Sequence, residues 1–188
     1  VPAPDHPAAT NLPAAANRLL GRDEEIAALG ALLARTDVRL VTLTGPGGIG
    51  KTRLAIGTAQ KFAGALALAC WFVDLSPQLE PSLVVPAIAH ALGIPPSAGE
   101  APLDAVKHFL RHRQALLVLD NFEQVFAAAP EVRELLSAAP GLKVLVTSRI
   151  VLHLAGEYEY SVPPLSVPPT SDSADLSVLA QCASVALL

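Results

Sequence analysis

Leu40-Val41-Thr42-Leu43-Thr44-Gly45-Pro46-Gly47-Gly48-Ile49-Gly50-Lys51-Thr52 is the stretch on which the rest of the chain is read. An apolar run short enough for a buried strand leads into GPGGIGKT, which fits the phosphate-loop pattern GxxxxGK[ST]. The glycines let the backbone curl with its N–H groups inward, where a Cβ would hold a phosphate away. Lys51 brings a positive charge, and Thr52 can place a hydroxyl on Mg²⁺. A helix predicted to start near Lys51 points its positive dipole end at the same anion. Gly45, Gly47, Gly48, Ile49, Gly50, Lys51, Thr52 and Arg53 are therefore the expected phosphate contacts. The alternative is a turn that is merely rich in glycine.

Working outward, the chain has 188 residues, enough for one full domain and a fragment of another. Apolar residues make up 52% and charged residues 16%, the balance of a globular interior rather than of a disordered chain. A net charge of −4 is no footprint for nucleic acid, so direct DNA contact is not expected of this domain. No apolar run is long enough for a bilayer and no signal peptide is evident, so a cytoplasmic location and no membrane partner are expected. Cys70 and Cys182 read as small hydrophobes in a reducing compartment. The chain starts at Val1 and has no methionine, which suggests an internal piece of a longer protein.

Residues 1–17 read as an extended or mobile lead-in, 18–165 as the phosphate-loop domain, and 166–188 as a linker with the first helix of a following, truncated helical domain. Asp23-Glu24-Glu25 starts a helix carrying Ile26, Leu29, Leu32 and Leu33 at helical spacing. The helix after the loop is expected to stop at Gly64. Strands are expected near 68–75, 115–119, 142–146 and 157–162, with helices over about 83–92 and 103–113. A helix begun by Val125 and Phe126 should be interrupted at Pro130. Strands alternating with helices argue for a three-layer αβα fold around a mostly parallel five-stranded sheet.

A bound Mg·nucleotide needs a second anchor, and Asp120, at the end of the buried run Ala115–Leu119, fits it; the other reading is a helix cap. Position 121 is Asn, which cannot accept a proton from an attacking water. Glu123 could orient that water or be an exposed first-turn acid. Arg149 ends the next strand and could reach a γ-phosphate, or be a solvated cation. Arg22 stands before a helix N-terminus, where a cation is misplaced unless it meets a phosphate or an acid. Asp74 is either a cap or a carboxylate at the edge of the site. His108 and His112, four apart, lack a third metal ligand and read as a solvated helix face.

Together, Leu20-Gly21-Arg22-Asp23-Glu24-Glu25, GPGGIGKTRLA at 45–55, LLVLDNFEQV at 116–125, VLVTSR at 144–149 and YSVPPLSVP at 160–168 resemble the STAND class of signalling ATPases. The likeness is to the nucleotide-binding region of bacterial SARP and LuxR-like ATPase regulators, relatives of the NB-ARC module within the AAA+-like folds. The resemblance implies a sheet ordered 5-1-4-3-2 and an ATP/ADP switch in a transcriptional regulator, with weak ATPase activity at most. It makes Lys51 and Thr52 ligands of phosphate and Mg²⁺, Asp120 the Walker B acid and Arg149 the sensor arginine. It also sets Leu20, Gly21 and Arg22 at the adenine and brings Pro164 to the base from the linker side. Nucleotide-dependent self-association of the full-length protein is implied as well. Two competing functions are a small-molecule kinase, which lacks an arginine-rich lid here, and a vestigial phosphate loop serving as an interaction module.

Overall fold

Alternate residues of the buried runs have to point to opposite faces, so a strand that is apolar throughout needs a covering layer on each side. The computed structural model, which describes residues 10–14, 19, 21–66, 68–97 and 99–164, has this arrangement. Its elements are α1 (Asp23–Ala34), β1 (Leu40–Thr44), α2 (Lys51–Leu66), β2 (Ala69–Asp74), α3 (Val84–Ala91), α4 (Pro102–Leu110), β3 (Ala115–Asp120), α5 (Ala129–Ala138), β4 (Leu142–Thr147) and β5 (Glu157–Ser161). The five strands form one sheet in the order β2-β3-β4-β1-β5, and every pairing is parallel. Read from the other edge, this is the expected order 5-1-4-3-2.

Leu117, Leu119, Val144 and Val146 face a core built with α3, α4 and α5, whereas Val41, Leu43, Leu116, Val118 and Leu145 face one built with α1 and α2. Cys70 lies in the second core, where burial pushes its thiol up to about 12 and keeps it unreactive. Cys182 and the segment 166–188 lie outside the described residues.

Two helix boundaries differ from expectation. Helix α2 runs past Gly64, an exposed position with open space around it, and closes through a Leu68 N–H to Ala63 C=O bond of 3.1 Å. A glycine ends a helix only where the chain turns left-handed, and here it does not. After β3 the chain forms a 3₁₀ run, Phe122–Ala128, with a kink at Val125. Helix α5 follows, with Pro130 in its first turn, where the missing N–H leaves no helical bond unmade. The expected interruption is thus a change of helix type just ahead of the proline.

Both sheet edges are protected, as exposed edges invite pairing with other chains. β5 carries Glu157 and Glu159. On the β2 side the lead-in docks. Thr10 bridges Cys70 in parallel, the Asn11 side-chain amide donates to Phe72 C=O at 3.0 Å, and Phe72 N–H donates to Asn11 Oδ1 at 2.6 Å. Gln60 on α2 donates to Pro13 C=O at 2.9 Å. Asn11 thus stands in for strand backbone. Asn11→Ala is expected to cost about 1 kcal/mol in urea denaturation, because two net hydrogen bonds are lost at a site that water can partly satisfy. An unchanged midpoint would mean that the docking adds no stability.

Candidate functional site

The topology decides where the polar residues gather. The chain steps from β1 out to β2, returns through β3 and β4, and then passes β1 to reach β5, so the order reverses beside β1. In open parallel sheets such a reversal leaves a crevice at the C-terminal strand ends. At those ends lie the loop after Thr44, Asp120 of β3, and Thr147 with Arg149 at and after β4.

The loop keeps its curl through Gly48 at φ +80° and Gly50 at φ +94°, conformations that side-chain-bearing residues rarely adopt. Lys51, the first residue of α2, is 8% exposed, and its ammonium donates to Gly45 C=O at 2.7 Å and Pro46 C=O at 3.0 Å. Its charge is thereby held across the mouth of the loop. Ile49 packs back on Gly45, where a Cβ would lie 3.4 Å from Ile49 Cγ2. Arg53 follows in the first turn of α2, partly exposed.

Thr52 places its hydroxyl on Asp120, 2.8 Å from Oδ1 and 3.1 Å from Oδ2. The register that sets Leu119 beside Val146 brings Thr147 next to Asp120, and the Thr147 hydroxyl donates to Oδ1 at 2.5 Å. Asn121 adds a third donor, its side-chain amide reaching Oδ2 at 3.1 Å, while its backbone N–H donates to Thr147 Oγ1 at 3.0 Å. Asn121 manages both from a left-handed backbone, φ 60° and ψ 43°, which Asn tolerates better than most residues. Burial raises the Asp120 pKa above its ordinary value; the two threonine hydroxyls oppose the shift, and the charges of Asp74 and Glu123 add to it.

Glu123 is in the first turn of the 3₁₀ run and pairs with Arg149, Oε1 to Nε at 3.3 Å. Its other oxygen is buried with no hydrogen-bond partner among the described residues. The Arg149 guanidinium also lies over the phosphate loop, with Nη2 3.6 Å from where a Cβ on Gly47 would stand. Asp74, exposed at the end of β2 and beside Asp120 in register, accepts the Ser76 N–H at 2.8 Å and so closes a local turn.

Arg22, 3% exposed, resolves its own electrostatic problem. It donates to Glu25 Oε1 at 2.7 Å, Ile49 C=O at 3.3 Å and Pro163 C=O at 2.8 Å. It therefore ties α1 to the phosphate loop and to the segment after β5. Gly21 precedes it at φ +65°, and exposed Pro164 follows the tied carbonyl. Leu20 lies outside the described residues. His108 and His112 are exposed on and just after α4, and no group of three metal-ligating His, Cys, Asp or Glu side chains occurs among the described residues. None of the described helices is long and apolar enough to cross a membrane.

Sequence reasoning missed Thr147 and the donor role of Asn121. A hydroxyl residue at the end of the strand that flanks the acid was the available signal for Thr147; nothing in the sequence gave the rotation of Asn121.

The donor set suits a metal-bound phosphate. Thr52 and Asp120 offer hard oxygens, as Mg²⁺ prefers, and Lys51 and Arg149 offer cations. A family profile described as AAA ATPase domain matches residues 18–151. A Mycobacterium tuberculosis protein named for HTH-type transcriptional regulation is 45% identical over 138 residues, covering 73% of this chain and 15% of the relative. The regulatory protein AfsR of Streptomyces griseus is 33% identical over 159 residues, covering 78% of this chain and 16% of its own length. The chain thus spans less than a fifth of either relative. Among solved structures, the Aeropyrum pernix ORC2 protein, in ADPNP-ADP complexes, superposes with TM-score 0.59 at 21% identity, covering 82% of this chain and 50% of that one. Cdc6p of Pyrobaculum aerophilum gives 0.53 at 19%, covering 87% of this chain and 48% of its own. At these identities the two structures speak for the fold alone.

Proposed function

Because the chain belongs to the AAA ATPase domain family, we propose that it is the nucleotide-binding unit of a multidomain transcriptional regulator. In this reading it takes ADP or ATP with Mg²⁺, and the exchange between them switches the larger protein. The observation that carries the reading is the Thr52 hydroxyl on the Asp120 carboxylate at 2.8 Å, which joins the first turn of α2 to the end of β3. A structural turn has no need of a buried acid with three donors, whereas a metal site does.

The roles follow from position. The loop from Gly45 to Gly50 cradles phosphate with its backbone N–H groups, and Lys51 neutralises charge on the same oxygens. Thr52 and Asp120 hold Mg²⁺, directly or through water, and the ion when bound supplies charge neutralisation across the phosphates. Arg149 reaches a third phosphate from over Gly47. Gly21, Arg22 and Pro164 are assigned to the base, supported by the Arg22 bonds to the Ile49 and Pro163 carbonyls, and Leu20 and Arg53 complete the proposed contacts.

Turnover is slow in this reading. Asn121 points its amide at Asp120 and cannot accept a proton, and Glu123 is engaged with Arg149. A switch needs only differential affinity: a hundredfold preference of one global state for one nucleotide shifts the equilibrium by about 2.7 kcal/mol. The finer assignment is a STAND, NB-ARC-like module, supported by Arg22 joining the phosphate loop to the segment after β5, the route by which nucleotide state would reach a following domain. The names of the mycobacterial and streptomycete relatives support a regulatory setting. With a net charge of −4, nucleic-acid contact is assigned to other parts of the full-length protein, where ATP would also permit self-association.

Calorimetric titration of the purified chain with ADP, ATP and GTP, each with and without Mg²⁺, tests this. Micromolar or tighter adenine-specific binding with negligible phosphate release is expected. Equal affinity for GTP, or turnover faster than about 1 per second, a rate typical of working enzymes, would overturn it.

A further inference from the structure

An arginine at a strand end is a poor reader of phosphate unless something aims it. Arg149 is 67% exposed, and a long, exposed side chain loses rotamer entropy whenever it is fixed. Glu123 supplies the aim. Only 18% exposed, it receives the Arg149 Nε edge of the guanidinium, while Nη2 lies over Gly47 of the phosphate loop. A guanidinium is a rigid planar fork, so fixing Nε fixes the direction of both Nη groups. The backbone that carries the carboxylate is itself held in place: Glu123 is the second residue of the 3₁₀ run that follows left-handed Asn121, whose amide and N–H are tied to Asp120 and Thr147.

Resting on the nucleotide-binding reading above, we propose that Glu123 is a positioning residue. It holds Nε of Arg149 so that the Nη edge faces the phosphate loop, and the pair, rather than Arg149 alone, distinguishes a triphosphate from a diphosphate. Glu123 touches neither nucleotide nor water in this role, and its work is specificity rather than proton transfer.

The test is a double-mutant cycle of Glu123→Gln and Arg149→Gln, read as the ratio of ATP to ADP affinity with Mg²⁺. Loss of one negative charge strengthens phosphate binding generally, but that gain is common to both Arg149 backgrounds and cancels in the cycle. With Arg149 present, Glu123→Gln is expected to lower the ratio about two- to fivefold relative to its effect without Arg149, the scale of a partly exposed ion pair. In the nucleotide-free protein, the Arg149 Nε–H resonance should move in Glu123→Gln and return toward the parent position in Glu123→Asp. An uncoupled cycle, or an Nε–H signal that Glu123→Gln leaves in place, would overturn the proposal while nucleotide binding stood. A parent chain that binds neither nucleotide would overturn the functional reading with it.

Discussion

Lys51→Ala loses at least about a hundredfold in affinity for both ADP and ATP, or about 2.7 kcal/mol, while the protein stays folded. The size of the effect follows from where the ammonium sits. It is almost fully buried and held by Gly45 and Pro46 carbonyls at the mouth of the loop, so any phosphate in the cradle meets an unscreened charge. The fold should survive, because alanine has a high helix propensity and the two freed carbonyls lie on a loop that water can reach. Titration calorimetry with circular dichroism as the control for folding decides the matter. A folded Lys51→Ala protein that binds within threefold of the parent would remove the phosphate loop from the site. Lys51→Arg separates charge from shape: the bulkier fork keeps the charge but not the compact point donor, and part of the affinity should be lost.

How much of this was legible in the sequence depends on whether a feature is local. The strands were legible because uninterrupted apolar runs such as Ala115–Leu119 fit only a strand covered on both faces, and the cradle because its glycines and Lys51 are consecutive. Asp120 was readable from its place after such a run. Thr147 was not, since its bond to Asp120 exists only through the β3–β4 register, which no periodicity encodes. The same holds for Arg22. Its buried guanidinium is satisfied by carbonyls at positions 49 and 163, so from the sequence it stood out only as a cation in the wrong place for the helix dipole. Glu123 was ambiguous for the same reason: its partner is 26 residues away, just after β4. The end of α2 was misplaced because the stop rule for glycine depends on a backbone angle that Gly64 does not take. Local chemistry is thus readable in this chain, and the sharing of one acid by three donors is not.

Asp120→Asn brings function and stability into opposition, which is what the proposed place of Asp120 at Mg²⁺ predicts. Burial raises the folded-state pKa of Asp120 above 3.8, so the folded protein takes up a proton more readily than the unfolded chain does. The sign is then fixed. The carboxyl's stability contribution is fully present below pH 3.8, and it is lost as pH rises through the raised folded value, where the buried group must ionise. An asparagine carries no such charge, and its amide can still meet Thr52 and Thr147, whose hydroxyls both donate and accept. Asp120→Asn should therefore unfold at a higher temperature than the parent at neutral pH, with the difference shrinking as the pH falls toward 3.8. The same substitution removes the charged oxygen from the proposed metal site, so the enhancement of ATP binding by Mg²⁺ should fall by about ten- to hundredfold, the range of a charge-assisted contact. Thermal melts across pH, paired with titrations with and without Mg²⁺, test both halves on one protein. A variant less stable than the parent at neutral pH would mean that the three donors more than repay the burial of the charge. An intact Mg²⁺ effect would mean that the ion is held by Thr52 and the nucleotide alone, with Asp120 reduced to ordering the threonines around it.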